Sequence, residues 1–138
     1  MPTHWPVAAP ERPFAAFPTF PDAPKPLNEG VRILAFFSAT CDQSKATART
    51  LLELQSMTAV YLVFFDAEDA IAEFQNATDT YSAPWIRLDP ALFFDHIGDA
   101  PPRVYVLNDG RGVRFWDGES PVDELRQALT SLLPRPGP

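Results

Sequence analysis

Cys41 is the only cysteine in the chain, and it stands where a predicted strand gives way to a predicted helix. The mostly apolar segment Val31 to Phe37 predicts a buried strand, and the polar residues Ser38 to Thr40 predict a short turn. A thiol in the first turn of the following helix experiences the positive end of the helix dipole and unpaired backbone N–H groups. Both favour the thiolate, which is the form that attacks sulfur. Because a free cysteine is also often a small buried apolar residue, a packing role for Cys41 stays open.

The residues that follow Cys41 bear on its ionisation. Lys45, one turn later, adds to the effect of the helix N-terminus and favours the thiolate, whereas the adjacent Asp42 opposes both. Lys45 also fits an ordinary solvated helix position. Ser44 is expected either to donate a hydrogen bond to a thiolate one turn back or to be a plain serine on the helix surface.

The sequence shows no second group of residues with recognisable chemistry. His4 and His96 are far apart, neither has metal-ligand spacing to Cys41, and a two-cysteine metal site is excluded because the chain has one cysteine. The sequence has no glycine-rich phosphate loop and no Ser-His-Asp order. Asp66 to Asp69 is predicted as a charge cluster at a helix N-terminus, where carboxylates interact favourably with the dipole. We therefore predict no metal site and no cofactor.

Length and composition predict one globular domain. The chain has 138 residues, of which 46% are hydrophobic, enough for a single core. Its net charge is −7 and its 11 basic residues are scattered, so we expect no nucleic-acid partner. The longest apolar run, Ala59 to Phe65, is far shorter than the roughly 20 residues of a membrane helix, so we expect no membrane span.

The sequence says little about the compartment of the protein. No apolar segment follows a basic start at the N-terminus, so no signal peptide is predicted in this chain. A cytoplasmic location is therefore favoured, with a periplasmic or exported location as the alternative if a leader has been removed. A single cysteine cannot form an internal disulfide, so cysteine usage does not decide the compartment.

The chain is predicted to divide into three parts. Eight of the 16 prolines fall within the first 26 residues, which predicts an extended N-terminal segment at 1–13, because proline fixes φ and removes a donor. Residues 14–133 are predicted to form the domain, and residues 134–138 a C-terminal tail. Phe14, Phe17 and Phe20 indicate that the start of this domain packs onto its core.

From residue 31 the apolar periods alternate between those of strands and helices, which is typical of an α/β protein. The predicted order is β-α-β-α-β-α-β-β-α, with hairpin turn chemistry at 108–112. Ser120 is predicted to cap the last helix, with Pro121 at its first position. The predicted strands are Val31–Phe37, Ala59–Phe65, Trp85–Leu88, Arg103–Leu107 and Val113–Trp116, and the earlier helices are Asp42–Met57, Asp66–Ala77 and Ala91–Ile97.

Four segments follow one another in the order and spacing of a known family: Phe36 to Ser44, Trp85 to Pro90, Pro102, and the hairpin Asp109 to Gly118. With them the chain, from about residue 14 to residue 133, resembles the thioredoxin-like thiol–disulfide oxidoreductases of the TlpA/ResA type. The resemblance implies a thioredoxin-like α/β fold, in which a central mixed sheet carries helices on both faces and includes an inserted strand and helix.

The resemblance also implies a site. Cys41 occupies the position of the family's nucleophilic cysteine, and Pro102 occupies the position of a proline that is cis in the family. The backbone of Pro101 would then lie beside the sulfur and pair with an extended substrate segment, although Pro101 offers a carbonyl and no N–H. Thr40 and Asp42 are expected to complete the substrate groove with the two prolines.

The chain departs from the family at three positions. Ser44 occupies the place of the second cysteine, and a serine hydroxyl cannot resolve a mixed disulfide as a second thiol does. Thr40 replaces a tryptophan, and Ala35 replaces a buried Asp or Asn beneath the site. A serine at position 44 is also what is introduced to trap a mixed disulfide, and the sequence alone does not separate a natural from an introduced serine.

Two functions follow from this pattern. The first is monothiol thiol–disulfide exchange, of the isomerase or deglutathionylation type, in which Cys41 attacks a protein or glutathione disulfide. The second is a redox-inactive binding or adaptor module that uses the groove near Cys41 and Pro102 to hold a partner protein. Only the first would make the protein an enzyme, and the oligomeric state is not predicted.

Overall fold

The computed structural model describes residue 27, residues 29–98 and residues 100–133. The predicted N-terminal segment at 1–13, the phenylalanines at its junction with the domain and the tail at 134–138 lie outside the described residues. Within them the predicted order of elements is confirmed. The strands are β1 (Val31–Phe36), β2 (Val60–Phe64), β3 (Trp85–Arg87), β4 (Arg103–Asn108) and β5 (Arg111–Asp117), and the helices are α1 (Asp42–Leu52), α2 (Glu68–Thr78), α3 (Pro90–Ile97) and α4 (Val122–Leu132).

The strands form one mixed sheet in the order β3-β2-β1-β4-β5. β1, β2 and β3 run parallel, whereas β4 is antiparallel to β1, and β5 is antiparallel to β4. Phe36, at the end of β1, lies opposite Val63 of β2 and Arg103 of β4. The last residues of β1, β2, β3 and β5 therefore meet the first residue of β4 at one end of the sheet. We call this the site end, because the turn that carries Cys41 leaves the sheet there.

Side chains alternate between two cores, one on each face of the sheet. Ile33, Ala35 and Phe37 belong to the core that α1, α2 and α4 cover. Leu34 and Phe36 belong to the second core, on which α3 packs. All five side chains are fully buried, as expected for a continuous apolar strand with both faces covered. The mixed sheet with helices on both faces confirms the predicted fold class.

The first helix is shorter than predicted. It ends at Leu52 rather than at Met57. The chain then continues in tight turns, in which the N–H of Leu54 donates to the carbonyl of Leu51 at 2.9 Å and the N–H of Met57 to that of Leu54 at 2.9 Å. In these bonds each N–H pairs with the carbonyl three residues earlier, instead of four as in an α-helix. The apolar residues therefore keep a nearly helical spacing beyond Leu52, although the α-helix has ended there.

Two predicted helix starts are wrong. α2 begins at Glu68, and Asp66 lies outside it because its carboxylate binds elsewhere, as described below. α4 has Pro121 at its N-cap, and no side chain caps it. The Ser120 hydroxyl, predicted to cap α4, is instead buried without a hydrogen-bond partner among the described residues.

The hairpin between β4 and β5 is tighter than predicted. β5 begins at Arg111, so the loop contains only Asp109 and Gly110 rather than the range 108–112. Both residues have positive φ, 53° and 83°, which is the geometry of the two-residue hairpin turn that suits the twist of a β-ribbon. Of the predicted turn residues 108–112, only Asp109 and Gly110 therefore form the turn.

Two adjacent phenylalanines of α3 test the second core. The Phe93 ring is fully buried, with its centroid 5.3 Å from that of Phe36 and 4.8 Å from that of Phe65, whereas Phe94 is 39% exposed. We expect Phe93→Ala to lower the free energy of unfolding by about 3–5 kcal/mol, because it leaves a cavity. Phe94→Ala is the matched control and should cost about 1 kcal/mol or less in denaturant unfolding. Equal losses in the two variants would contradict this description of the core.

Candidate active site

The turn between β1 and α1 presents Cys41 at the site end. Cys41 is the N-cap residue of α1, with φ −93° and ψ 123°, and it is partly exposed. Its N–H donates to the carbonyl of Ser38 at 3.1 Å, and its carbonyl accepts from the N–H of Lys45 at 3.1 Å. The thiol is therefore carried by a residue whose backbone is fixed by the turn on one side and by the helix on the other.

The side chains that flank Cys41 in the sequence are exposed or partly exposed. Thr40 and Asp42 are exposed, and Lys45 is partly exposed one turn along α1. Asp42 is the acidic residue in the first turn of the helix, where the dipole favours a negative charge. These side chains leave an approach to Cys41 from solvent.

Ser44 lies on the opposite, buried side of α1. It is fully buried, so the alternative of a serine on the helix surface is wrong. Its hydroxyl oxygen accepts a hydrogen bond from the N–H of Ser38 at 3.2 Å. No hydrogen bond from Ser44 to the sulfur of Cys41 is recorded in the part of the chain that the structure describes. Ser44 thus holds the turn before Cys41.

Asp66 is a site residue that the sequence analysis missed. One carboxylate oxygen accepts from the N–H of Ala39 at 2.8 Å, and the other accepts from the hydroxyl of Ser38 at 3.4 Å. The sequence analysis assigned Asp66 to the start of α2. The signal that identifies its role is its place directly after β2, because β2 runs parallel to β1 and both strands end at the same end of the sheet.

The loop before β4 lies at the same end. The peptide bond between Pro101 and Pro102 is cis. Pro102 is buried and its carbonyl accepts from the N–H of Gly118 at 3.0 Å, whereas Pro101 is partly exposed. Gly118 has φ +71°, and a Cβ placed on it would be 3.4 Å from the side-chain nitrogen of Gln43. Gly118 thus lies between the proline loop, to which it is hydrogen-bonded, and the side chain of Gln43 in the first turn of α1.

Arg103 and Asp117 brace the base of the proline loop. The guanidinium donates to both carboxylate oxygens of Asp117, at 2.6 and 2.9 Å, and to the Tyr105 hydroxyl at 3.2 Å. It also lies 4.0 Å from the centroid of the Phe115 ring. Burial, the largest single influence, lowers the pKa of Arg103, but the hydrogen bonds to Asp117 and Tyr105 outweigh it and raise that pKa above its ordinary value. Arg103 is therefore a permanent cation that ties the start of β4 to the end of β5.

One open cleft lies away from Cys41. It has a volume of about 280 Å³ and is lined by residues 55–60 and 82–84, which precede or begin β2 and β3 at the opposite end of the sheet. Across the described ranges no cluster of three His, Cys, Asp or Glu side chains could hold a metal ion. In the same ranges, no helix is long and apolar enough to cross a membrane.

Comparison with known proteins identifies the fold. Neither a family model nor a curated protein sequence matches the chain. A secreted Mycobacterium tuberculosis disulfide oxidoreductase homologous to E. coli DsbE superposes with a TM-score of 0.66 at 14% identity, covering 83% of this chain and 92% of that one. A thioredoxin-like protein from Aeropyrum pernix gives 0.65 at 16% identity over 76% and 79%, and MTB DsbF gives 0.63 at 16% over 75% and 81%. The chain therefore has a thioredoxin-like fold, of the kind found in thiol–disulfide oxidoreductases.

Ser44→Ala tests the structural role of the buried serine. It removes the acceptor of the Ser38 N–H, and we expect it to lower the free energy of unfolding by about 1–3 kcal/mol because a partly buried donor loses its partner. The exposed Ser56 provides the matched control, and Ser56→Ala should change stability by roughly 0.5 kcal/mol or less. A Ser44→Ala variant as stable as the wild type in urea unfolding would remove this role.

Proposed function

We propose that the protein catalyses thiol–disulfide exchange with a single thiol, Cys41, acting on protein or glutathione mixed disulfides. The observation that carries the proposal is the placement of Cys41 as a partly exposed helix N-cap at the same end of the sheet as the Pro101–Pro102 loop. The likeness of the fold to thiol–disulfide oxidoreductases supports the same chemistry.

The reaction balances without any net oxidation of the chain. The Cys41 thiolate attacks one sulfur of a disulfide, a bond forms between the two sulfurs, the substrate S–S bond breaks, and the leaving thiolate takes a proton from water. A small external thiol such as glutathione, as its thiolate, then attacks the mixed disulfide. For a glutathionylated substrate, Cys41 carries the glutathione sulfur after the first step, so this attack releases it as oxidised glutathione and restores the Cys41 thiolate.

Ser44 explains why an external thiol is needed. Its hydroxyl oxygen is buried and accepts from the Ser38 N–H, so the position that would hold a resolving thiol serves the turn instead. Without a second thiol the chain cannot form an internal disulfide, so it cannot take up or give the two electrons that net oxidation or reduction of a substrate requires. We therefore propose isomerisation or deglutathionylation rather than net oxidation of substrates.

The proline loop supplies the substrate groove in this proposal. Pro101 is partly exposed and presents a carbonyl as an acceptor for an extended segment that carries the target disulfide. Thr40 and Asp42, which flank Cys41 in the sequence, are exposed. In this proposal a substrate segment that lies along Pro101 and these two residues brings its sulfur to Cys41.

A redox-inactive binding module is the second candidate, and one observation favours it. Ala35 is fully buried in an apolar cluster, where the family has a buried Asp or Asn, so no carboxylate stands there to transfer protons in a dithiol reaction. Under this alternative the groove near Cys41 and Pro102 holds a partner protein, and Cys41→Ala leaves that binding unchanged.

Turnover of a glutathionylated peptide by glutathione tests the proposal. The control is Cys41→Ala combined with Ser56→Cys, which has the same number of thiols but places the thiol at an exposed position outside any helix. We expect the wild type to be at least about tenfold faster than this control, because a thiol positioned against its substrate reacts faster than one that is not. Equal rates would contradict the proposal and leave the binding module.

Ser44→Cys tests the need for an external thiol. In the wild type, the mixed disulfide between Cys41 and the glutathione taken from the peptide should persist until free glutathione is added. In the variant, the new thiol one turn away should release that glutathione without an added thiol and leave an internal disulfide. Non-reducing gel mobility and the mass of the intact protein measure both outcomes. Spontaneous release from the wild type would show that resolution does not depend on a second thiol.

A further inference from the structure

Ser38 and Ala39, the first two residues of the turn before Cys41, are held by hydrogen bonds from α1 and from Asp66. Ser38 donates its N–H to Ser44 on α1, while Ala39 donates its N–H to Asp66 at the end of β2. The Ser38 hydroxyl adds a second bond to the Asp66 carboxylate, and the Ser38 carbonyl accepts from the N–H of Cys41. The Asp66 carboxylate is thus connected to the backbone of Cys41 through Ser38: one hydrogen bond comes from the Ser38 hydroxyl, and the other joins the Cys41 N–H to the Ser38 carbonyl.

Asp66 is itself firmly placed. The Arg87 guanidinium donates to its backbone carbonyl at 2.6 Å, which fixes it from β3. On the other side, the N–H of Phe37 donates to the carbonyl of Val63 at 2.9 Å, so the ends of β1 and β2 are paired directly before the turn and before Asp66. The carboxylate therefore acts on the turn from a residue whose own backbone carbonyl is held by β3.

We propose that Asp66 is a positioning residue for Cys41: its carboxylate sets the Ser38–Ala39 turn so that the sulfur meets a disulfide held along Pro101. This inference rests on the proposed function, because a binding module would not need the sulfur in one direction. Displacements of about 1 Å at a reacting group can cost on the order of a hundredfold in rate.

The role is geometric and not one of ionising the thiol. A nearby carboxylate opposes the thiolate, because like charges disfavour each other, so its charge gives no benefit to Cys41. Its two oxygens do give a benefit, since they are acceptors at the distances that the Ala39 N–H and the Ser38 hydroxyl require. Asparagine keeps an acceptor of the same size without the charge, and alanine keeps neither.

The experiment compares Asp66→Ala with Asp66→Asn in two reactions of the full chain. The first is exchange with the glutathionylated peptide, which demands a defined direction of attack, and the second is alkylation by iodoacetamide, which demands only an accessible thiolate. Because both variants lack the charge, the ratio of the two rates isolates the geometry. Asp69→Ala is the matched control, since this carboxylate is exposed and accepts only from the N–H of the next residue.

We expect the ratio of exchange to alkylation to fall by about tenfold in Asp66→Ala and to stay near the wild-type value in Asp66→Asn and Asp69→Ala. An unchanged ratio in Asp66→Ala, or an equal fall in Asp66→Asn, would overturn the positioning role. If Asp66→Ala does not fold, Asp66→Ser takes its place, because its shorter side chain cannot reach the Ala39 N–H.

Hydrogen exchange at the Ala39 amide separates positioning from structure. We expect the amide to be protected in the wild type and in Asp66→Asn but not in Asp66→Ala. Lost protection with an unchanged rate ratio would mean that Asp66 only stabilises the turn, which overturns the proposal. Failure of the proposed function is detected separately, because it is judged from the wild-type rate against the thiol-displaced control and not from any Asp66 variant.

Discussion

The register of β1 between β2 and β4 is the constraint on which the site depends. Because β1 is parallel to β2 and antiparallel to β4, the end of β1 lies beside the end of one neighbour and the start of the other. Residues distant in sequence, Ser38, Asp66 and Pro102, therefore leave the sheet at the same end. A shift of one residue in this register would exchange the two faces of β1 and bury its apolar side chains against the wrong helices.

The site end is held mainly by polar contacts on top of an apolar sheet. Asp66 and Ser44 hold the turn before Cys41, while Arg103 and Asp117 hold the base of the proline loop. Gly118 at the end of β5 adds a backbone hydrogen bond to Pro102. These contacts hold the turn before Cys41 and the proline loop at the same end of the sheet.

The sequence predicted the order of elements and the place of Cys41 because both follow from local patterns. Apolar periodicity marked every strand, and the change from strand to helix located the cysteine. It could not assign Asp66, because an acidic residue before a helix fits the dipole equally well and its partners lie in the distant turn after β1. The alternative of a surface serine at position 44 failed for a similar reason, since which face of α1 is buried depends on the packing of α2 and α4. Serine is a typical N-cap residue, yet α4 begins one residue later than a cap at Ser120 requires.

Alkylation of Cys41 by iodoacetamide in the folded protein tests the central claim most directly, namely that the start of α1 presents an accessible thiol at the site end. Cys41 is partly exposed, so it should be alkylated without unfolding, as should a thiol moved to the exposed position 56 in a Cys41→Ala background. A Cys41 that iodoacetamide reaches only after the protein is unfolded would contradict the account.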